Sequence, residues 1–257
     1  MFKIGTTSYI YPADILTNVK RLAGRVHDIE LVLFEFEEES NIPDRGVIEE
    51  LAEISHHRGM SYTIHLPLDL ALAGAAPDIE KARRVIDLTR SLHPIGYVVH
   101  LDGANELDAS KRLANSLESV NALADAVPDA ALLCVENLEN EPVAFIDHIL
   151  DAMPVSTCVD IGHLWKVGAD PIPILEKRLE RTRIIHLHGL QGRDHRSLSV
   201  TAPQELDPVA DFLVHHYDGV LTIEIFSEAD LRDSLDALRA SVARVSQTRP
   251  LASDLCF

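Results

Sequence analysis

The chain has 257 residues, 46% of them hydrophobic, yet no apolar run approaches the roughly 18 residues that a membrane helix needs. Its 23 basic and 41 acidic residues give a formal net charge of −18, and no cluster of Lys and Arg offers the basic face that binds a nucleic-acid backbone. We therefore expect a soluble globular protein whose partner is neither a membrane nor a nucleic acid.

The amino-terminal residues lead directly into a strand pattern, so we expect no signal peptide. Two of the three cysteines, Cys134 and Cys158, lie inside apparent strands. This placement favours reduced core thiols over a disulfide framework. Together these features predict a cytoplasmic protein.

Short apolar runs alternate with helical patterns along the chain. Eight runs are predicted strands, in order residues 3–8, 28–35, 61–66, 97–101, 131–136, 156–160, 183–188 and 219–225. Helical patterns between them cover residues 11–24, 44–58, 77–92, 109–126 and 142–152. A last helix is predicted from Ser227 to about Gln247, because Ser227 and Asp230 have the spacing of a capping box.

Eight strands alternating with eight helical patterns are typical of a (β/α)8 TIM barrel, an α/β fold of this size. The strands are continuous apolar runs, as expected when both faces of a parallel sheet are buried. A doubly wound sheet could give a similar alternation, but it would not bring nearly every strand end to one place. With no linker or change of composition, we expect one barrel domain over residues 1–257, with a short tail after about residue 249.

Most predicted strands end on a histidine or a carboxylate. Because the carboxyl ends of barrel strands converge on one mouth, seven such side chains are expected in one pocket: His65, His100, Glu136, Asp160, His163, His186 and Glu224. Imidazoles and carboxylates without cysteine suit Zn²⁺, Mn²⁺ or Fe²⁺. The set exceeds the needs of one tetrahedral ion, so we expect two or more divalent ions, most simply Zn²⁺ or Mn²⁺. Any one histidine could instead be a structural core residue.

Adjacent divalent ions favour hydrolysis at phosphorus, because they lower the pKa of a water and stabilise both the attacking and the leaving oxygen. Glu136 or Glu224 would bridge the ions and hold their spacing. The catalytic candidates are Glu136, Glu224 and His163.

A polar loop of residues 189–198 follows the seventh strand and extends the candidate site. It is predicted to add a metal ligand, His195 or Asp194, and a phosphate-facing guanidinium; the alternative is a plain surface loop. Two residues just past His163 would either contact substrate or cap the barrel. The substrate-contact candidates are therefore Arg193, Arg196, Lys166 and Trp165.

Nearly the whole chain resembles the xylose-isomerase-like barrel superfamily, which contains sugar isomerases, sugar epimerases and the endonuclease IV group. Positions shared widely there are matched by Glu136, Asp160, His163, His186 and Glu224. His65 and His100 match the extra histidines of the multi-metal phosphodiesterase branch, and the resemblance implies that they are ligands beside Glu136. Endonuclease IV has Asp-x-His on the loop after the seventh strand, whereas Asp194 and His195 are adjacent here.

The chain more closely resembles the cobamide-remodelling phosphodiesterases, the CbiR family. The motifs that carry this resemblance are GTTSYIYPADIL, DIELVLFE, TIHLPLDL, VDIGHLW, IIHLHG and GRDHRSL. The family implies hydrolysis of the phosphodiester in the nucleotide loop of a cobamide, which releases the lower-ligand riboside and a corrinoid phosphate.

Two other functions stay open on the sequence. A sugar isomerase or epimerase would hold one ion through Glu136, Asp160, His186 and Glu224, with the two glutamates exchanging a proton beside a carbonyl. A catalytically silent barrel would bind a corrinoid or a sugar without turnover. One ion per chain would favour the isomerase, and two or more would favour the hydrolase.

Overall fold

The structure is a computed structural model that describes residues 2–36, 39–103 and 107–248. Eight parallel strands close into a barrel in chain order, with the last strand paired to the first. They are β1 (Lys3–Thr7), β2 (Asp28–Val32), β3 (Ser61–His65), β4 (Tyr97–Val99), β5 (Leu133–Glu136), β6 (Ser156–Asp160), β7 (Thr182–Leu187) and β8 (Val220–Ile223). The predicted (β/α)8 barrel is confirmed.

Helices follow the strands around the outside of the barrel. Those described are α1 (Ile15–Leu22), α2 (Arg45–Arg58), α3 (Ile79–Thr89), α4 (Ala109–Ala124), α5 (Ala144–Ala152), α6 (Ile161–Lys166), α7 (Pro171–Arg178), α8 (Pro203–His216) and α9 (Glu228–Thr248). The described residues form nine α-helices, one more than the eight predicted, because two helices join β6 to β7. Gly168, at φ 73°, lies between them, and Pro171 opens the second.

Aspartate side chains fix where many of the helices begin. Each accepts a hydrogen bond from a backbone N–H of the first turn, which satisfies a donor that the helix itself leaves free. The capping residues of α1, α2, α3, α4, α6 and α7 are Asp14, Asp44, Asp78, Asp108, Asp160 and Asp170. At the predicted capping box, Ser227 Oγ accepts from the backbone N–H of Asp230 at 3.1 Å and donates to the Asp230 carboxylate at 3.0 Å.

The barrel interior changes from apolar to polar toward the mouth. Five buried side chains form a small apolar cluster of their own: Val98, Cys134, Cys158, Ile184 and Val220. Because side chains alternate along a strand, the residue two positions further on points the same way. On four of these strands that residue is a histidine or carboxylate: His100, Glu136, Asp160 and His186. The apolar cluster therefore forms a floor beneath the candidate site.

Both described cysteines are free and buried, as predicted; Cys256 and the expected tail after residue 249 lie outside the described residues. Of the predicted second strand, only Asp28–Val32 is strand in the structure, and Glu35 lies in the loop beyond it. Within the described ranges no helix combines the length and apolarity needed to cross a membrane.

Candidate metal centre at the barrel mouth

His65, His100 and Glu136, here called the first cluster, meet at the ends of β3, β4 and β5. The Nε2 atoms of the two histidines are 3.2 Å apart. Glu136 Oε2 lies 3.4 Å from His65 Nε2 and 3.1 Å from His100 Nε2. Ligands of a tetrahedral Zn²⁺ lie about 3.3 Å apart, given bond lengths near 2 Å. The three atoms therefore have the spacing of ligands of one ion.

A backbone contact orients His65 toward this cluster. Its Nδ1 lies 2.9 Å from the carbonyl oxygen of Leu66, to which a ring N–H donates. A proton on Nδ1 leaves the Nε2 lone pair free, which is the usual arrangement for a histidine that binds a metal. The side chain is only 2% exposed, so its position is fixed by packing as well.

Glu136, Asp160, His186 and Glu224 form the second cluster, which shares Glu136 with the first. His186 Nδ1 lies 3.2 Å from Glu224 Oε2, 3.6 Å from Glu136 Oε2 and 3.9 Å from Asp160 Oδ2. On the other side of the ring, His186 Nε2 donates to Glu30 Oε2 at 2.9 Å. Glu30 thus sets the tautomer of His186 and turns Nδ1 toward the carboxylates.

Several polar atoms of the second cluster are buried without a hydrogen-bond partner. They are His186 Nδ1, Asp160 Oδ2 and Glu224 Oε2. Leaving such atoms unpaired costs free energy, so native proteins pair nearly all of them. Atoms of three buried residues that converge in this way fit a divalent cation, which would satisfy all three at once.

His163, His188 and His195 form the third cluster. The rings of His188 and His195 stack with centroids 4.4 Å apart, and the His163 ring lies 5.9 Å from that of His188. His163 Nδ1 donates to the carbonyl oxygen of Asn137 at 3.0 Å, which leaves its Nε2 available. Glu224 Oε2 lies 3.5 Å from His195 Nε2 and so connects this cluster to the second.

Two further residues, Asn137 and Gly162, support the cluster side chains at the end of β6. The Asn137 side chain donates to the carbonyl oxygen of Asp160 at 2.9 Å and accepts from its backbone N–H at 3.0 Å. Gly162 lies against the ring of His188, and a Cβ at that position would overlap the ring. The glycine of the DIGH motif therefore makes room for a buried histidine.

The buried carboxylates of the site are stabilised in their charged form by neighbouring positive charge. Burial acts to raise the pKa of Glu136, but the neighbouring His100 and His186 outweigh it and hold that pKa well below the ordinary value. Burial acts to lower the pKa of His65, but the hydrogen bond and charge of Glu136 outweigh it and raise that pKa to about 9. Protons supply the balancing charge here, and divalent ions can replace them.

The four residues predicted to contact substrate differ in where they lie and in how exposed they are. Lys166 Nζ donates to Glu139 and to Asp194, at 2.7 Å each, and so joins two loops at the mouth. That contact holds the pKa of Asp194 down at about 2, while its other carboxylate oxygen lies 3.3 Å from His195 Nδ1, on the side of the ring away from Glu224. His195, not Asp194, is the residue of this pair that joins a histidine cluster.

Arg193 is exposed, and Arg196 is half-buried with an unpartnered Nε. Trp165 packs against the core and lines a surface cavity with residues of α7 and α8, including Pro171 and Pro208. Whether Trp165 contacts substrate or caps the barrel stays a prediction. Glu35 forms an ion pair with Arg84.

Sequence reasoning missed three residues that shape the site. Glu30 had a visible signal, because Asp28 and Glu30 are acidic residues at alternate positions of an otherwise apolar strand. His188 ends the predicted strand 183–188 but is not among the seven side chains expected in the pocket. Asn137 gave no signal, because its role depends on a contact between neighbouring strands.

The family model for xylose isomerase-like TIM barrels matches residues 26–241. The chain belongs to this family. No curated protein matches the chain. Among solved structures it is similar to a D-tagatose 3-epimerase-like protein, with 20% identity, a TM-score of 0.78 and coverage of 96% of this chain and 99% of that one.

Two further structures of the family fold show its range. An L-ribulose 3-epimerase has 17% identity and a TM-score of 0.72, covering 99% of this chain and 100% of that one. An AP endonuclease, family 2, from Brucella melitensis has 16% identity and a TM-score of 0.68, covering 89% of this chain and 94% of that one. At these identities the likeness establishes the fold alone.

The comparisons bear on the two enzyme functions that the sequence left open. Most of the named structural neighbours are sugar epimerases, so they fit the isomerase or epimerase alternative better than the phosphodiesterase. The resemblance to the wider superfamily is confirmed, whereas the narrower cobamide-remodelling family is not.

Proposed function

We propose that this chain is a metal-dependent phosphodiesterase that uses two or more divalent ions. The observation that carries the proposal is the first cluster, in which His65 and His100 flank Glu136 with the spacing of metal ligands. This cluster adjoins the second and shares Glu136 with it. A carboxylate common to two ligand groups is the arrangement that a pair of ions requires.

In a one-ion enzyme the second cluster would bind the ion, and the first cluster would bind none. The second cluster already offers four side chains, which suffice for one ion. Yet His65 is buried with its Nε2 turned toward Glu136, and His100 lies beside it. A cation placed between the two Nε2 atoms and Glu136 Oε2 would be bound by all three side chains at once.

Bound divalent ions would supply positive charge at the attacking and leaving oxygens of a phosphodiester and would lower the pKa of a water. The residues of this chain would hold the ions and keep the ligands in position. Glu136 spans the first and second clusters, and Glu224 spans the second and third. Glu30 and Asn137 hold His186, Asp160 and His163 in place.

For the substrate, we propose the nucleotide-loop phosphodiester of a cobamide. Support comes from the six motifs described above, five of which include or adjoin residues of the three clusters or Glu30. The net charge of −18 also suits a small-molecule phosphodiester better than a nucleic acid. Zn²⁺ or Mn²⁺ as the ions and the cytoplasm as the location are part of the same proposal.

A sugar isomerase or epimerase is the second candidate. It is favoured by the named epimerase structures and by the second cluster, which holds two glutamates, Glu136 and Glu224, around His186. Such an enzyme would need neither His65 nor His100 as a ligand. The two candidates therefore differ in the effect of removing those histidines.

The test is to count tightly bound ions and to measure turnover in wild type, His65→Ala and His100→Ala, with the exposed His56→Ala as the matched control. The phosphodiesterase predicts two or more ions per wild-type chain. Each cluster variant should lose an ion and most of the cleavage of adenosylcobalamin, while the control behaves as wild type. One ion per chain, together with ketose epimerisation that both variants retain, would establish the second candidate instead.

A further inference from the structure

Four aromatic rings stand in a row beside the third cluster, in loops that follow β1, β2 and β8. Phe226 lies 5.1 Å from the His195 ring, centroid to centroid. Tyr9 lies 6.5 Å from Phe226 and 6.2 Å from Phe34, and Phe34 stacks on Phe36 at 5.6 Å. We call Tyr9, Phe34, Phe36 and Phe226 the aromatic wall.

The wall exposes apolar surface beside the candidate site. Within the described residues, the large hydrophobic side chains that are exposed are Phe36 at 54%, Val167 at 48%, Phe226 at 46% and Leu68 at 40%. Two of these four belong to the wall, and both are phenylalanines. Aromatic rings kept in water next to a reactive site are typical of a surface that a ligand covers.

The loop that carries two of the rings is held in place by polar contacts. The Asn41 side chain accepts from the backbone N–H of Phe34 at 2.7 Å and donates to the carbonyl oxygen of Val32 at 2.8 Å. Lys81 Nζ donates to the carbonyl oxygen of Glu35 at 3.2 Å. These contacts fix Phe34 and Phe36 before any ligand arrives, which reduces the entropy cost of binding.

We propose that the aromatic wall binds a planar heteroaromatic group of the substrate, by stacking at its inner end, on Phe226 and the adjacent Tyr9. This deepens the proposed function and rests on it for the position of the phosphodiester. A phosphodiester held at the clusters would place one of its substituents against Phe226, because that ring touches His195. Stacking on aromatic side chains tolerates many bases, since each has a flat π-face.

The occupant follows from the chemistry of the wall. Its described rings are three phenylalanines and one tyrosine, which offer flat apolar faces and little hydrogen bonding. Such faces match a flat ring better than the puckered, hydroxylated ring of a sugar, and they offer no charge to a second phosphate. A nearly uncharged planar ring, such as a benzimidazole base joined through ribose to the phosphate, suits this surface.

The test measures binding without turnover, so that it stands apart from the proposed function. Binding of 5,6-dimethylbenzimidazole to the metal-loaded protein is titrated by NMR for wild type, Phe226→Ala and Tyr9→Ala, with the exposed Val167→Ala as the matched control. Each wall variant should weaken binding by about tenfold, in line with loss of one stacking partner. The control should bind as wild type.

A second probe, cobinamide, lacks the base and separates the two ends of the proposed substrate. Its binding should be equal in all four proteins. The inference is overturned if wild type does not bind the base, if the wall variants match Val167→Ala, or if cobinamide is the probe that the wall variants lose. If no phosphodiester is cleaved but the base binds as expected, the proposed function fails and the aromatic subsite stands.

Discussion

Replacing Glu30 by Gln should weaken metal binding without unfolding the barrel. Glu30 Oε2 accepts from His186 Nε2 at 2.9 Å, and both side chains are fully buried. Burial acts to lower the pKa of His186, but the anionic groups around it, Glu30 among them, outweigh it and raise that pKa well above the ordinary value. Gln keeps the shape and an acceptor oxygen but removes the charge.

Changes at such supporting carboxylates cost about 10- to 100-fold in metal affinity, or about 1.4 to 2.7 kcal/mol. A buried hydrogen bond to a charged group contributes a similar free energy, about 1.5 to 3 kcal/mol. We therefore expect the affinity for Zn²⁺ at the second cluster to fall by that factor in Glu30→Gln, measured by competition with a fluorescent chelator. Circular dichroism should show an unchanged fold.

Asp28→Asn provides the matched control, because it removes another buried carboxylate from β2. Asp28 accepts from Ser61 Oγ at 2.7 Å and Thr63 Oγ1 at 2.8 Å and makes no contact with His186. Its metal affinity should match that of wild type. Equal losses in both variants, or none in Glu30→Gln, would refute the assignment of Glu30 as the residue that orients His186.

Three further outcomes follow from the structure. Glu136→Gln and Asp160→Asn should each lower turnover by orders of magnitude while the urea unfolding curve keeps its shape; retained activity in both would contradict their roles. Gly162→Ala should displace the His188 ring, which is visible as a shifted imidazole NMR signal and a lower metal count, whereas an unchanged signal would mean that the ring has room to spare. Burial raises the pKa of Asp28 from 3.8 to about 6, so its folded state holds a proton more tightly than the unfolded chain does. Wild-type stability, measured against Asp28→Asn by urea unfolding, should therefore fall by about 2.4 kcal/mol as the pH rises from about 4 to 7; a pH-independent difference would contradict this.

Much of the fold was predictable because the strands of a barrel leave a regular pattern of short apolar runs in the sequence. Each strand is a short run buried on both faces, and the alternation along it sets which side chains share the interior. The same pattern predicted that His65, His100, Glu136 and His186 would meet, since all stand at strand ends. The helices between β6 and β8 were predicted only as part of a count. For α6 the reason is its length, since six residues give little periodicity, whereas α8 has apolar residues at helical spacing, Leu206, Val209 and Leu213, that could have delimited it.

The parts of the site that could not be predicted depend on contacts between distant loops. The sequence predicts that Lys166 either contacts substrate or caps the barrel, and it gives no sign that the fold places Lys166 between Glu139 and Asp194. The aromatic wall is likewise invisible in the sequence, because Tyr9 and Phe226 come from opposite ends of the chain. Only closure of the barrel, which pairs β1 with β8, brings those two loops together.

The central claim is that the three clusters serve hydrolysis at phosphorus. Its most direct test is to incubate the Mn²⁺- or Zn²⁺-loaded protein with adenosylcobalamin and to resolve the products by chromatography and mass spectrometry. We predict release of a lower-ligand riboside together with a corrinoid phosphate, and no release by Glu136→Gln. Intact adenosylcobalamin at every metal loading, with epimerisation of a ketose by the same preparation, would contradict the phosphodiesterase and establish the sugar epimerase in its place.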